Sequence, residues 1–494
     1  MFSNSKLMIT ALLMALLGVG CSNDNNSPPA STAAGTTDVN AILTAASTAM
    51  GMQNLDSITY SGSAWRIRNS FMQTPNASPP WPYRDTITNY QRSIDLQQPA
   101  SRASGDTFAQ NLFLAPAVAG TYTQNIPAGQ TDWRQQMEIW LTPWGFLKGA
   151  QDNGAEASTQ VVDGSSYTVL TWLSPANQTS PSGMQYTVKG YLNEQNLVDR
   201  VETWVEDPFL GDMNVVAVYS DYQDFNGLMV PTTMEQQRGG GGIFGVSVTS
   251  AAANPPNVAE LLTFPASPGG PGAGGSPAAG AAAPPSELAQ KLDDGVYLIT
   301  GGYVALAVEF SDHIVVFEGG QSETRGRQVI DEVKRVIPNK PIRYVVNSHP
   351  HSDHTAGLVP FVRERATIIT HANNVDFLNM ALSTPRTLLG EARLNPTFEG
   401  VDDVKVLEDA GMRFELHHVP NGHTDGMLVG FLPAQKILFQ ADFTLPQPGA
   451  EANPFVVELA QFVDSTGLDF ERYLAVHAAQ EPQTKADLMA VIGK

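Results

Sequence analysis

The chain has 494 residues, of which 28 are Lys or Arg and 49 are Asp or Glu, so its formal net charge is −21. At roughly 150 residues per domain, this length corresponds to two or three domains. Hydrophobic residues make up 42% of the chain, which excludes a protein that is disordered throughout. The acidic surface repels phosphate backbones and argues against nucleic acid as a partner. The single cysteine excludes an internal disulfide and a zinc site built from clustered cysteines.

The N-terminus is typical of an export signal. Lys6 precedes an apolar run over residues 7–20, which is too short to span a bilayer, and we predict a signal peptide over residues 1–20. Cys21 follows directly, in a pattern that resembles a bacterial lipobox. The resemblance implies a lipid anchor at Cys21 and a place in the cell envelope, at the outer membrane or facing the periplasm. An ordinary signal peptide is the alternative, and in either case residues 21–37 are expected to form a flexible tether.

Residues 38–264 predict a β-rich N-terminal domain that opens with a helix. Thr37 or Asp38 can cap this helix, whose apolar residues recur at helical spacing up to Met50. Strands are predicted over residues 58–67, 167–173, 185–192, 197–205 and 214–222. One helix followed by an antiparallel meander resembles the half-barrel of periplasmic lipoprotein carriers. The glycine run at residues 239–242 is predicted to be a loop or a bulge, since no Lys-Ser/Thr pair follows it as in a phosphate-binding loop.

Residues 265–286 consist almost wholly of Pro, Gly, Ala and Ser and predict a linker between two halves. All seven tryptophans lie before this linker, and all nine histidines lie after it. Because histidine is the commonest metal ligand and general base, the chemistry is expected in the second half. The tryptophans are expected to pack in a β-sheet core, with a groove for lipid or polymer as the alternative.

Residues 287–494 alternate strand and helix patterns and predict an α/β domain. The pattern predicts a hairpin over residues 303–317, with His313 at its surface, and a helix capped by Ser322 that ends before Pro338. A buried strand is predicted over residues 342–346. Further strands are predicted over residues 367–370, 404–407, 413–416, 427–431 and 436–439, with helices around residues 373–382 and 483–492.

Four residues of metal-ligand type follow the strand at 342–346 within six positions: His349, His351, Asp353 and His354. Zinc takes imidazole and carboxylate ligands, and one loop can supply several of them when its side chains point to two places. His349 and His351 could meet one metal, and Asp353 and His354 a second. Such a cluster at a strand end is rare as a plain turn and indicates a metal site.

This His-X-His-X-Asp-His segment resembles the motif of the metallo-β-lactamase superfamily. Gly422-His423-Thr424-Asp425-Gly426 is similar to the third histidine motif of that family, Asp442 to its bridging aspartate and His477 to its last histidine. The resemblance implies an αββα sandwich that holds two divalent metal ions, with Zn²⁺ expected. It implies one metal bound by His349, His351 and His423, a second bound by Asp353, His354 and His477, and Asp442 between the two.

Two such metals could share one water and lower its pKa. A hydroxide that bridges the metals would then attack the substrate, and Asp353 would orient this hydroxide. Subclasses of β-lactamase with a cysteine ligand are excluded, because the only cysteine lies in the leader. The presence of Asp442 makes the ligand set more similar to glyoxalase II, acyl-homoserine lactonases and related esterases. Glu318 stands where many members carry Asp, and little consequence is expected. His371 could support the site or the fold, and at most one of His417 and His418 could lie near it.

The leading hypothesis is therefore an exported, dinuclear metal-dependent hydrolase acting on an ester, lactone, thioester or amide-type bond of a small or hydrophobic substrate. One alternative is a non-catalytic envelope protein that binds lipid or polymer and keeps a relic metal domain. Another is an oxidoreductase similar to the mononuclear iron persulfide dioxygenases. In a mixed hypothesis, the first half presents a hydrophobic substrate to the second.

Overall fold

The computed structural model describes residues 38–67, 84–109, 118–264, 288–447, 449–477 and 483–494. The predicted signal peptide, the tether with Cys21, the linker and Trp81 lie outside these residues. Asp38–Lys494 form one compact unit by their contacts, and the predicted boundary between two domains stays a prediction. Among the described residues, no helix has both the length and the apolar character needed to cross a membrane.

The N-terminal part is dominated by one antiparallel sheet of eleven strands, which confirms the predicted β-rich character. The sheet runs in the order β4-β3-β2-β1-β11-β10-β9-β8-β7-β6-β5, so each strand lies beside a neighbour in sequence except where β1 pairs with β11. The strands are β1 (Ser57–Ile67), β2 (Arg84–Asp95), β3 (Ala100–Ala109), β4 (Val118–Ile126), β5 (Glu156–Val162), β6 (Ser165–Leu173), β7 (Thr187–Leu192), β8 (Val198–Asp207), β9 (Gly211–Phe225), β10 (Leu228–Arg238) and β11 (Gly241–Ala253).

Local sequence explains where these elements begin and turn. The side chain of Asp38 accepts hydrogen bonds from the backbone N–H groups of Asn40 and Ala41 and so caps the first helix, as predicted. Gly239 and Gly240 have φ values of +55° and +88° and form the tight turn between β10 and β11. The predicted loop in the glycine run is therefore confirmed as a hairpin turn.

Helices cover one face of this sheet and supply much of its core. They are α1 (Val39–Ala49), α2 (Trp133–Trp140) and α3 (Pro143–Asp152), whereas the short α4 (Val258–Leu261) has no buried residue. Trp133, Trp140 and Trp144 are buried on α2 and α3, packed against strand residues such as Trp172. The predicted packing in the core of the sheet is confirmed for these tryptophans, although the first three lie on helices that were not predicted. All four fill the core rather than line a groove.

The C-terminal part contains two sheets. The first has the order β12-β13-β14-β15-β16-β17-β18, and its strands are β12 (Ala289–Asp293), β13 (Val296–Ile299), β14 (Ala305–Glu309), β15 (Ile314–Phe317), β16 (Ile342–Val346), β17 (Thr367–His371) and β18 (Phe398–Val401). The second has the order β19-β20-β21-β22-β23, and its strands are β19 (Val404–Glu408), β20 (Arg413–His418), β21 (Leu428–Leu432), β22 (Ile437–Gln440) and β23 (Arg472–Ala475). β15 to β18 run parallel, as do β22 and β23.

The two sheets face each other across a shared apolar core that includes Phe317, Phe414 and Phe439. Helices pack on the outer face of each sheet, and this layer order is consistent with the αββα sandwich that the resemblance implies. The helices of this part are α5 (Glu323–Val336), α6 (Ser352–Thr355), α7 (Leu358–Arg363), α8 (Ala372–Ser383), α9 (Pro454–Thr466) and α10 (Lys485–Ala490).

His313 lies in the predicted hairpin but is buried, so its predicted surface position was wrong. Its ring stacks on Phe310 at 4.8 Å between centroids, and its Nδ1 lies 2.6 Å from Asp312 Oδ1. A charged partner beside an aromatic face lets a short hairpin bury the imidazole, which strand periodicity does not reveal.

A polar contact joins the N-terminal sheet to the segment after α8. The Asp212 carboxylate accepts hydrogen bonds from the backbone N–H groups of Thr387 (3.0 Å) and Leu388 (2.9 Å) and from the Thr387 hydroxyl (2.5 Å). Arg386 is buried and donates to the backbone oxygen of Pro208 at 2.8 Å. Segment 385–388 is therefore bound to the β8–β9 turn through several hydrogen bonds at once.

Candidate metal centre

The loop after β16 carries the predicted motif and is stabilised by hydrogen bonds within the loop. The Asn347 side chain donates to the backbone oxygens of His349 (2.9 Å) and His354 (3.1 Å), and so ties the start of the motif to its end. Asp353 and His354 lie on the one-turn helix α6 rather than in the loop itself. A buried amide that satisfies two backbone carbonyls keeps this compact turn from opening.

Further hydrogen bonds bring the motif loop to the second sheet. The backbone N–H of Leu428, at the start of β21, donates to the Ser348 oxygen at 2.8 Å. Asp442 follows β22 directly, and His477 follows β23, which pairs with β22 in parallel. Because parallel strands end at the same edge, Asp442 and His477 emerge side by side. His423 reaches the same place from the loop between β20 and β21.

The structure brings all seven predicted ligand residues together in two groups. One consists of His349, His351, His423 and Asp442, and the other of Asp353, His354 and His477. Within each group the candidate ligand atoms lie within 4.8 Å of one another.

The Asp442 carboxylate faces both groups, with one oxygen turned to each. Its Oδ2 lies 2.7 Å from His423 Nε2 and 3.3 Å from His349 Nε2. Its Oδ1 lies 2.7 Å from His477 Nε2 and 3.0 Å from His354 Nε2. This arrangement is the one that a bridging carboxylate requires.

Burial sets the protonation of the first group. Burial, assisted by the neighbouring His354, lowers the pKa of His349 to about 4. Burial and the neighbouring His349 likewise hold the pKa of His351 well below its usual value. Both rings are therefore neutral at pH 7, which is the form of imidazole that binds a metal.

In the second group, neighbouring charges determine the pKa of the buried histidine. Burial by itself disfavours the protonated ring of His354, but the carboxylates of Asp442, Asp353 and Glu318 outweigh it and raise the pKa of this histidine. Burial likewise opposes the charged form of Asp442, yet the surrounding histidines hold its pKa well below the usual range. The centre therefore concentrates negative charge from three carboxylates around one buried histidine.

The residues fit a pair of cations by their chemistry and by their unused atoms. His349 Nε2, His423 Nε2 and Asp442 Oδ1 are buried and lack a hydrogen bond of good geometry among the described atoms, although each lies close to another candidate ligand atom. Buried polar atoms of this kind are rare in native proteins and call for a partner. Imidazole nitrogens and carboxylate oxygens are the donors that Zn²⁺ takes in catalytic sites.

Glu318 contacts the motif directly, a role that the sequence analysis missed. It is fully buried, its Oε2 lies 3.2 Å from His354 Nδ1, and its Oε1 accepts from the backbone N–H of Ser348 at 3.0 Å. Its φ is +78°, an uncommon value for a residue other than glycine. Such backbone conformations cluster at functional sites. The carboxylate orients His354 so that Nε2 points to the second group.

We expect Glu318→Gln to weaken metal binding at the second group by about tenfold to a hundredfold, because loss of the carboxylate behind His354 lowers the basicity of the imidazole and lets the ring rotate more freely. Competition with a zinc chelator measures this change. Glu332→Gln is the control, since Glu332 is also buried, though 9% exposed against 0% for Glu318, and pairs with Arg335 on α5. Equal affinities in Glu318→Gln and the control would show that Glu318 only fills space.

Tyr303 is a second residue that the sequence analysis did not connect to the site. Its hydroxyl donates to Asp353 Oδ2 at 3.0 Å, and its ring lies 4.4 Å from that of His477 between centroids. The backbone N–H of Val304 donates to the Val476 oxygen, which fixes the β13–β14 turn beside His477. Tyr303 therefore positions two members of the second group.

Tyr303→Phe keeps the ring and removes the hydrogen bond to Asp353. We expect about a tenfold loss of affinity at the second group with little change at the first, since only the orientation of Asp353 is released. A stepwise zinc titration separates the two sites, with Tyr297→Phe on β13 as the control. An equal loss at both sites would contradict a role through Asp353.

The remaining histidines of this region lie outside both groups. His371 accepts from the backbone N–H of Asn373 and caps α8, and its ring lies 4.0 Å from that of His418. His418 Nε2 lies 2.8 Å from the Asp425 backbone oxygen, and His417 Nε2 lies 2.9 Å from Glu415 Oε2. His371 therefore has a structural role as a helix cap.

Comparison with known families agrees with this centre. Residues 300–478 match the family model described as the metallo-beta-lactamase superfamily. This segment belongs to the metallo-β-lactamase superfamily. The matched residues include both groups of the metal centre together with Tyr303 and Glu318.

Individual relatives are distant. The alpha subunit of 2,4-dinitroanisole O-demethylase from Nocardioides sp. (strain JS1661) is 24% identical over 197 residues, which are 39% of this chain and 58% of that protein. A metallo-beta-lactamase from Pontibacter korlensis is 17% identical, with a TM-score of 0.34 over 41% of this chain and 97% of that one. A stereoselective inverting sec-alkylsulfatase from Pseudomonas sp. is 16% identical, with a TM-score of 0.31 over 40% of each chain.

Proposed function

We propose that the chain is an exported, dinuclear metal-dependent hydrolase that cleaves an ester, lactone, thioester or amide-type bond. The observation that carries this proposal is the Asp442 carboxylate, which turns Oδ2 to His349 and His423 and Oδ1 to His354 and His477. A carboxylate shared in this way matches a site for two cations better than a site for one. His351 completes the first group, and Asp353 the second.

When bound, two divalent cations such as Zn²⁺ supply a hydroxide from a shared water at neutral pH and polarise the bond to be cleaved. The chain's own residues determine where the substrate approaches. Side chains of His349 and His354 are fully buried, whereas 29% of the His477 side chain and 15% of the Asp353 side chain are exposed. His423 and Asp442 are each 14% exposed, so both groups are open to a substrate and His477 is the most accessible member.

Asp353 is the residue that we assign to catalysis as well as to metal binding. The hydroxyl of Tyr303 fixes its Oδ2, and the neighbouring His354 holds its pKa below the usual range although burial opposes this. A carboxylate kept charged in the metal centre can orient the attacking water and accept its proton.

A second candidate reaction is hydrolysis of an aryl ether. It is supported by the curated relative, whose name describes O-demethylation of 2,4-dinitroanisole. The match covers 58% of that protein, and 2,4-dinitroanisole is therefore one substrate to include in a screen. Release of methanol from an anisole would distinguish this reaction from ester or lactone cleavage.

The test begins with elemental analysis of the chain from residue 22. About two zinc ions per chain, as in dinuclear hydrolases, would support the proposal and justify a screen of esters, lactones, thioesters, amides and anisoles. One iron per chain would favour the dioxygenase-like alternative, and a protein that binds no added metal would favour the non-catalytic binding protein. If the His349→Ala variant folds and hydrolyses a substrate as fast as the unaltered chain, the proposal of a metal-dependent hydrolase is wrong.

We also propose that Cys21 carries a lipid and holds the protein in the cell envelope. The full chain produced in a Gram-negative host should incorporate labelled palmitate and fractionate with membranes. Cys21→Ser should abolish the label and release the protein to a soluble fraction. Label that persists in Cys21→Ser, or none in the unaltered chain, would contradict the anchor.

A further inference from the structure

A cavity of about 360 Å³ lies against the inner face of the eleven-stranded sheet, in the half of the chain without the metal centre. Aromatic residues from different strands form much of its wall, among them Tyr60, Tyr122 and Phe244. Aliphatic side chains such as Met234 and Ile243 complete the apolar part. The volume falls in the range of cavities that bind small organic molecules.

The unusual feature of this cavity is Arg92. It lies between Tyr90 and Ile94 on the inward face of β2 and is only 7% exposed, although arginine is almost never buried without a charged partner. Its Nε donates to Ser101 Oγ at 3.0 Å, and its Nη2 donates to the backbone oxygen of Glu138 at 2.7 Å. These acceptors are neutral, and the Glu138 carboxylate, which favours the charged guanidinium from a longer distance, is itself paired with Arg238.

Two carboxylates in or near the wall pair with other arginines, while the Glu235 carboxylate, which also lines the cavity, accepts a hydrogen bond from the Gln237 side chain. Arg238 Nη2 lies 3.0 Å from Glu138 Oε1, and Arg66 Nε lies 3.3 Å from Asp85 Oδ2. Within the part of the chain that the structure describes, no carboxylate lies within 4.0 Å of the Arg92 guanidinium. A buried charge without a counter-ion costs folding free energy, and an anion entering the cavity would remove that cost.

We propose that this cavity binds an amphipathic organic carboxylate, with its anionic group at Arg92 and its apolar body against the aromatic wall. A guanidinium presents paired N–H donors that match a carboxylate, and aromatic rings beside it suit an acyl chain or an aryl group. The proposal concerns the N-terminal part alone and does not depend on the hydrolase activity.

Isothermal titration of the metal-loaded chain from residue 22 tests the proposal with matched pairs of ligands. Octanoate is compared with octan-1-ol, and 3-phenylpropanoate with 3-phenylpropan-1-ol, at pH 7.5 where both acids are ionised. We expect one carboxylate per chain, bound at least about tenfold more tightly than its alcohol, because a hydrogen-bonded charge pair contributes this much or more. The better acid of the two identifies the apolar body as a chain or a ring.

Variants separate this cavity from the metal centre, which could itself bind an acid. Arg92→Met should weaken acid binding at least about tenfold, whereas Arg200→Met, a β8 arginine paired with Glu202, should not. Asp442→Asn should leave acid binding unchanged. Ala217→Leu fills the cavity while keeping Arg92, and it should abolish binding even if Arg92→Met does not fold.

Three results would overturn the proposal. The first is that the unaltered chain binds neither acid, and the second is that it binds the alcohols as tightly as the acids. The third is that acid binding disappears in Asp442→Asn but persists in Ala217→Leu, which would place the acid at the metal centre.

Discussion

Asp442→Ala is expected to remove both metals and to lower hydrolysis on the order of a thousandfold, the loss typical of a deleted group that stabilises charge in the transition state. The reason is the position of its carboxylate, which contributes one oxygen to each group of ligands. Elemental analysis after dialysis against a weak chelator, together with the rate on the best substrate of the screen, measures both effects.

Single-group variants provide the control for Asp442→Ala. His351→Ala removes a ligand of the first group only, and His477→Ala removes a ligand of the second group only. Each should lose mainly one metal, whereas Asp442→Ala should lose both. If Asp442→Ala retained as much metal as either single-group variant, Asp442 would belong to one site and would not bridge.

Trp144→Ala is expected to lower the free energy of unfolding of the N-terminal part by about 3–5 kcal/mol, the range for truncation of a large buried aromatic residue. Trp144 is fully buried on α3, and its ring lies 6.0 Å from that of Tyr60 between centroids. A loss of this size is a large share of the 5–15 kcal/mol that stabilises a typical protein.

Trp144→Phe is the matched control. The indole Nε1 of Trp144 forms no hydrogen bond among the described atoms, so a phenyl ring loses volume but no polar contact, and the destabilisation should be clearly smaller. Urea unfolding followed by tryptophan fluorescence reports this part selectively, because all the tryptophans precede residue 265. Equal losses in the two variants would show that packing volume is not the cause.

Regular elements and short-range motifs were predictable from the sequence. The helix after Asp38 and the strand of residues 342–346 follow from periodicity, and the structure shows α1 and β16 at these places. The metal motif was recognisable because its four ligand-type residues are adjacent in sequence. In each case the information lies within a window of about a dozen residues, which is the range over which periodicity acts.

Long-range partners were not predictable in the same way. Tyr303 reaches Asp353 across 50 residues, and Glu318 reaches His354 across 36. Neither residue carries a local signal for these contacts. They depend on how the turn between β13 and β14 and the end of β15 approach the motif loop in the folded chain. Helices α2 and α3 were missed because their aromatic residues also favour strands, and tertiary packing on the sheet outweighs that propensity.

The contact between Asp212 and segment 385–388 has a consequence for how this chain can be divided. Arg386 and Leu388 are buried; Arg386 donates to Pro208 in the β8–β9 turn as well as to Glu391, and the backbone N–H of Leu388 donates to Asp212 on β9. The same segment follows α8, whose Asn374 donates to the backbone oxygen of Gly426 beside the His423 loop. A C-terminal fragment starting at residue 288 would carry every proposed metal ligand but would expose that segment to water. The part that carries the proposed metal ligands therefore depends on the N-terminal sheet for some of its stability, and we expect the isolated fragment to have a less ordered His423 loop than the full chain.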